Sequence, residues 1–201
     1  MHMKEVVIRE IACEYLEGGR NFTQLMLSRQ LNLSLSLVNS AVRALSEISS
    51  VRVAQRGFEV ISLNRLLLYW ATHRQLSRDI VFTTRVALPV RDLERSMPDE
   101  IAFTGYTAYR FLYDEAPADY SEVYVYATVE GTSEIRRRFE PNGKVPNLTV
   151  MKADPNMEDA IRNHRLNKSS VCPAQLFVDL WNMKEWYARD YTDSLSRRLG
   201  I

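Results

Sequence analysis

The chain is poor in the residues that usually announce chemistry. Two cysteines in 201 residues, Cys13 and Cys172, build no disulfide framework, and neither stands in a CxxC or Cys/His ligand spacing. With apolar neighbours in sequence, both read as reduced, buried thiols. Histidine is as scarce: His73 and His164 have no partner at ligand or triad spacing. Ser169-Ser170 lacks the strand–turn–helix context of a nucleophile elbow. The longest apolar run, Leu66-Leu67-Leu68-Tyr69-Trp70-Ala71, is far shorter than the roughly 20 residues of a membrane span. No apolar h-region or small-residue cleavage site follows Met1-His2-Met3-Lys4-Glu5, so no signal peptide is expected, and His2 reads as an expression scar. The expected setting is the cytoplasm, with no membrane contact. Internal repeats and low-complexity tracts are missing too.

Lysine is also rare, with five against 21 arginines. Guanidinium forks suit bidentate contacts to phosphates and base edges, although genome composition enriches arginine as well. Position therefore matters more than count. The 46% hydrophobic and 10% aromatic content supports real cores, and 201 residues suit two domains of about 100 each. The totals of 26 basic and 25 acidic residues nearly cancel. They are unevenly spread. Residues 1–80 hold ten Lys/Arg and seven Asp/Glu; residues 81–201 hold sixteen and eighteen. Over 20–78, eight arginines face only Glu47 and Glu59. Such a basic stretch in a neutral protein points to a face for a polyanion.

Apolar spacing at Val7, Ile8, Ile11, Ala12 and Tyr15 predicts a helix over 3–16, stopped by Gly18-Gly19. A second helix is expected over 23–31, with Leu25, Met26 and Leu31 as its apolar positions. Asn32-Leu33-Ser34 then reads as a turn, with Ser34 the N-cap of a third helix over 34–48. That helix would bury Leu37, Val38, Ala41, Leu45 and Ile48 and present Ser36, Asn39, Ser40 and Arg43. The period then shortens. Val51–Ala54 and Phe58–Ile61 around Gln55-Arg56-Gly57 read as a hairpin, followed by a helix over 64–75. Helix, helix–turn–helix, basic-tipped hairpin, helix is the order of a winged helix-turn-helix domain, expected here over 1–78.

Docking on double-stranded DNA needs a recognition helix with an apolar back and small polar residues in front. Asn39 could pair with adenine, Arg43 with guanine or a phosphate, and Arg52 and Arg56 would reach phosphates or the minor groove. The expected DNA-contacting set is Ser34, Ser36, Asn39, Ser40, Arg43, Arg52, Gln55 and Arg56. Tri-helical domains of this spacing also serve as protein-docking modules, which is the alternative.

Residues 79–201 read as a second, α+β or α/β domain. Over 80–88 one strand is expected, or two broken near Thr83-Thr84-Arg85, then a short helix over 90–96, and a strand–turn–helix over Ile101–Tyr113 with Thr104-Gly105-Tyr106 at the turn. A strand over 122–127 follows. Strand–Gly–helix–loop–strand resembles the opening unit of the nucleotidyltransferase fold, and implies a mixed sheet. Active members carry two carboxylates at alternate positions of the second strand to chelate Mg²⁺. This sequence has Tyr124 and Tyr126 there, or Val123 and Val125 on the other face. No metal, cofactor or catalytic residue is therefore expected. The enzyme alternative, a divergent nucleotidyltransferase, would have to use Glu122, Asp119 or Asp114.

A helix opens at Pro173, in the segment Pro173-Ala174-Gln175-Leu176-Phe177-Val178-Asp179-Leu180-Trp181. With the winged helix and the degenerate nucleotidyltransferase-like unit, this Pro–X–Gln–Leu–X–X–Asp–Leu segment resembles AbiEi-type antitoxins and related transcriptional regulators. The resemblance implies a DNA-binding autorepressor paired with a nucleotidyltransferase-like toxin, or acting as a homodimer. Residues 131–168 match no motif. Asp179, inside an apolar run, is expected to cap a helix or pair with an arginine rather than act as an acid or base. Arg136-Arg137-Arg138 reads as a solvated face, with DNA backbone contact as the alternative. Trp181, Trp186, Tyr187 and Tyr191 read as core packing, with a share available to a partner.

Overall fold

The structure, a computed structural model, describes residues 3–201; Met1 and His2, the latter read above as an expression scar, lie outside the described residues. The first elements are α1 (Met3–Leu16), α2 (Gln24–Gln30) and α3 (Leu35–Glu47). Caps fix their starts: the Thr23 hydroxyl accepts from the Met26 N–H, and the Ser34 hydroxyl from the Leu37 N–H at 3.2 Å. Asn32, at φ 52, makes the turn between α2 and α3. The hairpin β1 (Val51–Ala54) and β2 (Gly57–Val60) pairs antiparallel, Val51 opposite Val60 and Ala54 opposite Gly57, with Gln55-Arg56 at its tip. Helix α4 (Leu63–His73) follows, capped by Ser62.

Any side chain at position 57 would strain the hairpin. Gly57 has a φ of +144°, and a Cβ there would lie 2.3 Å from the Phe22 carbonyl oxygen. The approach is this close because Phe22 and Phe58 exchange both backbone hydrogen bonds, at 3.0 and 2.8 Å, and stack their rings. The hairpin is thereby stitched to the segment between α1 and α2. Ile11, Leu27, Val38, Leu45, Leu66 and Trp70 fill the centre of this half. Burying each such side chain stabilises the fold by about 1.5–3 kcal/mol.

A single 3-10 turn, Leu76–Arg78, leads into β3 (Ile80–Thr84), α5 (Val90–Arg95), β4 (Ile101–Thr104), α6 (Gly105–Tyr113) and β5 (Val123–Ala127). Then come α7 (Val129–Arg138), β6 (Leu148–Lys152), α8 (Pro155–Arg162), α9 (Pro173–Trp181) and α10 (Ala188–Leu199). The sheet order is β3-β6-β5-β4, with β5 and β6 parallel and the outer pairs antiparallel. The fold is mixed α and β: one four-stranded mixed sheet, one small antiparallel hairpin, and helices. Of the two readings of 80–88, the single strand fails: β3 stops at Thr84, at the expected break, and the Asn147 side chain takes over pairing with Val86 in both directions, with no second strand over the described residues 85–88. Residues 131–168, which match no motif, supply the inner strand β6.

Helix α9 is buried from Ala174 to Leu180 and packs against α1, α4, α6 and α10. The cores of the first and second halves of the chain consequently meet on it. This contact also overturns the expectation of two free thiols. Cys13 on α1 and Cys172 at the N-cap of α9 form a disulfide, with Cα atoms 6.1 Å apart across 159 residues of sequence. Local spacing carries no trace of this pairing, because only the packing of α1 on α9 brings the two together.

Candidate nucleic-acid interface

Helix α3 separates its two faces cleanly. Val38, Ala41, Val42 and Leu45 are buried, while Ser36, Asn39 and Arg43 are exposed and Ser40 is half-buried beside them. Leu37 and Ile48, expected in the core, are only half-buried, and Val42 takes the inward position between them. The Ser34 hydroxyl is engaged by its own helix as the cap. Arg43 Nε lies 3.1 Å from Glu47 Oε1, and on the hairpin Arg52 Nε lies 2.7 Å from Glu59 Oε1. Both pairs are solvent-exposed, so each contributes at most about 1 kcal/mol and exchanges readily for a phosphate. Gln55 and Arg56 are exposed at the hairpin tip, and Arg56 makes no hydrogen bond or ion pair among the described residues.

The sequence reading missed one neighbour of this face. Leu25 and Met26, named above as apolar positions of α2, are 50% and 37% exposed, and Leu35 at the start of α3 is 45% exposed. Leu27 is the residue of α2 that fills the core instead.

In the second half, polar side chains of the segment from Ile101 to Ala127 are engaged by partners from α9 and the stretch after it. Gly105 opens α6 at φ +61°, while the preceding Thr104 hydroxyl donates to Asp179 Oδ2 at 2.8 Å. On β5 the Tyr124 hydroxyl donates to Glu185 at 2.7 Å and the Tyr126 hydroxyl to Asp179 at 3.0 Å. Asp114 sits at the C-terminal end of α6 with Lys168, and Glu122 accepts from Tyr187 and Ser121, so different partners hold the candidate carboxylates. Asp119 is exposed. Among the described residues no group of three or more His, Cys, Asp and Glu is placed to hold a metal ion.

Asp179 pairs with an arginine, Arg74 at the end of α4, whose Nε is 3.6 Å away. Gln175 and Tyr126 donate to the same carboxylate. Burial pushes the Asp179 carboxyl above the usual range, opposed by Arg74 and these donors. Burial likewise pushes the Tyr126 hydroxyl well up. At 0% exposure, Asp179 meets no substrate without an opening of the fold. The network ties α4, β5 and α9 together.

Comparisons with protein-family models, curated proteins and solved structures return no match for this chain. The remaining candidates divide by their contacts. Arg137 and Arg138 are held by Glu134, and Arg136 donates to the Val81 carbonyl, so the arginine triplet is engaged locally. Tyr191 is in the core, whereas Trp181 and Trp186 are exposed. No helix among the described residues is long and apolar enough to cross a membrane.

Proposed function

We propose that the chain is a DNA-binding transcriptional regulator whose first half is a winged helix-turn-helix. The observation that carries this reading is the exposed row Ser36, Asn39, Ser40 and Arg43 on α3, beside a hairpin tipped by Gln55-Arg56. Helix α3 enters the major groove, Asn39 and Arg43 meet base edges or phosphates, and Arg52 and Arg56 neutralise the backbone. On this reading the second half is a nucleotidyltransferase-like domain without catalysis. It serves dimerisation or a protein partner, as in an AbiEi-type antitoxin that represses its own operon. The supporting observation is that Tyr124 and Tyr126 stand at the alternating positions of β5, with hydroxyls bonded to protein carboxylates.

A second reading has its own observation. The exposed Leu25, Met26 and Leu35 lie where a DNA-facing surface would be polar, and they suit a protein-docking module. Titration of the full chain with random-sequence duplex DNA at low salt separates the two. Binding that falls steeply with added salt supports the regulator. No binding at low salt overturns it in favour of docking.

A further inference from the structure

Helices α5 and α6 meet through a buried carboxylate. The Glu94 side chain accepts from the Thr107 hydroxyl at 2.9 Å, Arg110 Nη2 at 2.6 Å, Arg91 Nη1 at 3.2 Å and the Tyr120 hydroxyl. Beside it opens a cavity of about 280 Å³ lined by Arg91, Glu94, Arg95, Arg110 and Phe111. Three guanidinium groups thus stand in one wall against a single carboxylate. Asp92 is not part of that wall, and it reaches Arg95 only through an exposed pair at 3.3 Å. The charge left to face a ligand is positive.

Hydrogen-bond donors are left over as well. Arg91 uses only Nη1, on Glu94 and Tyr120, and Arg110 uses Nε and Nη2 on the same two partners. Arg95 uses only Nη1, on Asp92. Nε and Nη2 of Arg91, Nη1 of Arg110, and Nε and Nη2 of Arg95 therefore have no acceptor among the described residues. All three side chains reach solvent, at 43% exposure for Arg91, 28% for Arg110 and 80% for Arg95.

We propose that this cavity binds a phosphate dianion, free or as a small phosphomonoester. Glu94 and Tyr120 hold Arg91 and Arg110 in place, so little side-chain entropy is lost when their remaining N–H groups meet a ligand. Arg95, one turn beyond Arg91 on α5, supplies the third fork. A carboxylate offers two oxygens to three guanidiniums, whereas a phosphomonoester offers three and nearly two charges. The volume is below that of pockets for drug-sized ligands and suits the phosphate group with a few carbons. The site lies in the second half of the chain and does not rest on the DNA-binding reading.

The test is isothermal titration of the full chain, free of DNA and at an ionic strength held constant with chloride. The probes are inorganic phosphate, glycerol 3-phosphate and acetate. Phosphate is expected to bind in the micromolar-to-millimolar range, and acetate at least about tenfold more weakly. Bound phosphate should also raise the midpoint of thermal unfolding. Arg91→Gln and Arg95→Gln should each weaken phosphate binding about tenfold. Arg95 gives up only its exposed pair with Asp92, so that variant carries the test if Arg91→Gln fails to fold. Arg197→Gln, which removes the same charge from the exposed end of α10, should leave binding unchanged. Tighter binding of glycerol 3-phosphate supports an ester as the source, and equal binding supports free phosphate. No phosphate binding to the wild type, or binding indifferent to both Arg91→Gln and Arg95→Gln, overturns the site. An equal loss in Arg197→Gln overturns it in favour of diffuse charge, and acetate binding as tight as phosphate overturns the dianion.

Discussion

Arg74 and Asp179, 105 positions apart in sequence, meet as a buried ion pair with the Tyr126 hydroxyl bridging them, 2.9 Å from Arg74 Nη2 and 3.0 Å from Asp179 Oδ2. The arginine caps the last helix of the proposed reader, and the carboxylate lies in the helix on which both halves of the chain pack. A second buried pair, Arg9 Nη1 and Asp154 Oδ2 at 2.5 Å, repeats the arrangement between α1 and α8. A reader held this way cannot swing freely on a linker.

Removing Asp179 leaves the Thr104, Tyr126 and Gln175 donors buried without their acceptor and takes one carboxylate from Arg74, whose Nη1 keeps Asp79 at 2.5 Å. Asp179→Ala is expected to lower stability by about 3 kcal/mol, read as the midpoint of urea unfolding. Asp179→Asn, which keeps an acceptor for Thr104, should lower it less. An unchanged midpoint in both would remove the network from the account of how the halves are held.

The disulfide closes a loop of 159 residues between α1 and α9. Its reduction should cost about 2–5 kcal/mol. Thiol titration of the unfolded chain should find no free thiol without reductant and two with it. Cys13→Ser should match the reduced protein in stability and be insensitive to reductant.

Two of the buried carboxyls, Asp154 and Asp179, respond to pH with opposite signs. Burial raises the Asp154 carboxyl, but the Arg9 guanidinium and its hydrogen bond outweigh this and hold it below the usual range. Its contribution is therefore present above the unfolded value of about 3.9 and is lost as pH falls through the lower folded value. Asp179, raised by burial, contributes most below that unfolded value and loses its contribution as pH rises through its higher folded value. Unfolding measured from pH 7 to 3 should show a loss of stability at the acid end that Asp154→Asn reduces and Asp179→Asn does not.

At the DNA face, Arg43→Ala and Arg56→Ala should each weaken binding in a gel-shift assay. Each should also flatten the slope of log affinity against log salt by about one for a phosphate contact. Asn39→Ala should weaken binding to a preferred sequence more than to random DNA. Unchanged affinity in the arginine variants would remove α3 and the hairpin from the interface.

Gly57→Ala sets a Cβ against the Phe22 carbonyl oxygen at a backbone angle that only glycine adopts freely. A loss of about 1–3 kcal/mol is expected in thermal unfolding, with the hairpin displaced from the α1–α2 segment. A variant as stable as the wild type would show that this stitch has play.

Local chemistry made the first half readable. Apolar residues at helical spacing, a serine cap at Ser34 and a glycine after Arg56 act within a few residues of themselves, so helix and hairpin limits follow from sequence within a residue or two. The inner strand β6 escaped because Leu148-Thr149-Val150-Met151 is short and fully buried, without the alternation that marks a half-exposed strand. The row on α3 followed from its period of 3.6. The exposure of Leu25, Met26 and Leu35 did not, since apolar spacing says which face is greasy but not whether anything covers it.

The sequence by itself determined the order of elements in the first half, the polar front of α3, the basic balance of residues 20–78 and the tyrosines at the alternating positions of β5. Only the tertiary structure decided that Cys13 meets Cys172, that Asp179 answers Arg74, and that Leu25, Met26 and Leu35 stay uncovered. The first set depends on neighbours within one or two turns of chain. The second depends on α1 and α4 packing against α9 across more than a hundred residues, and no local pattern encodes which distant helix a buried face will meet.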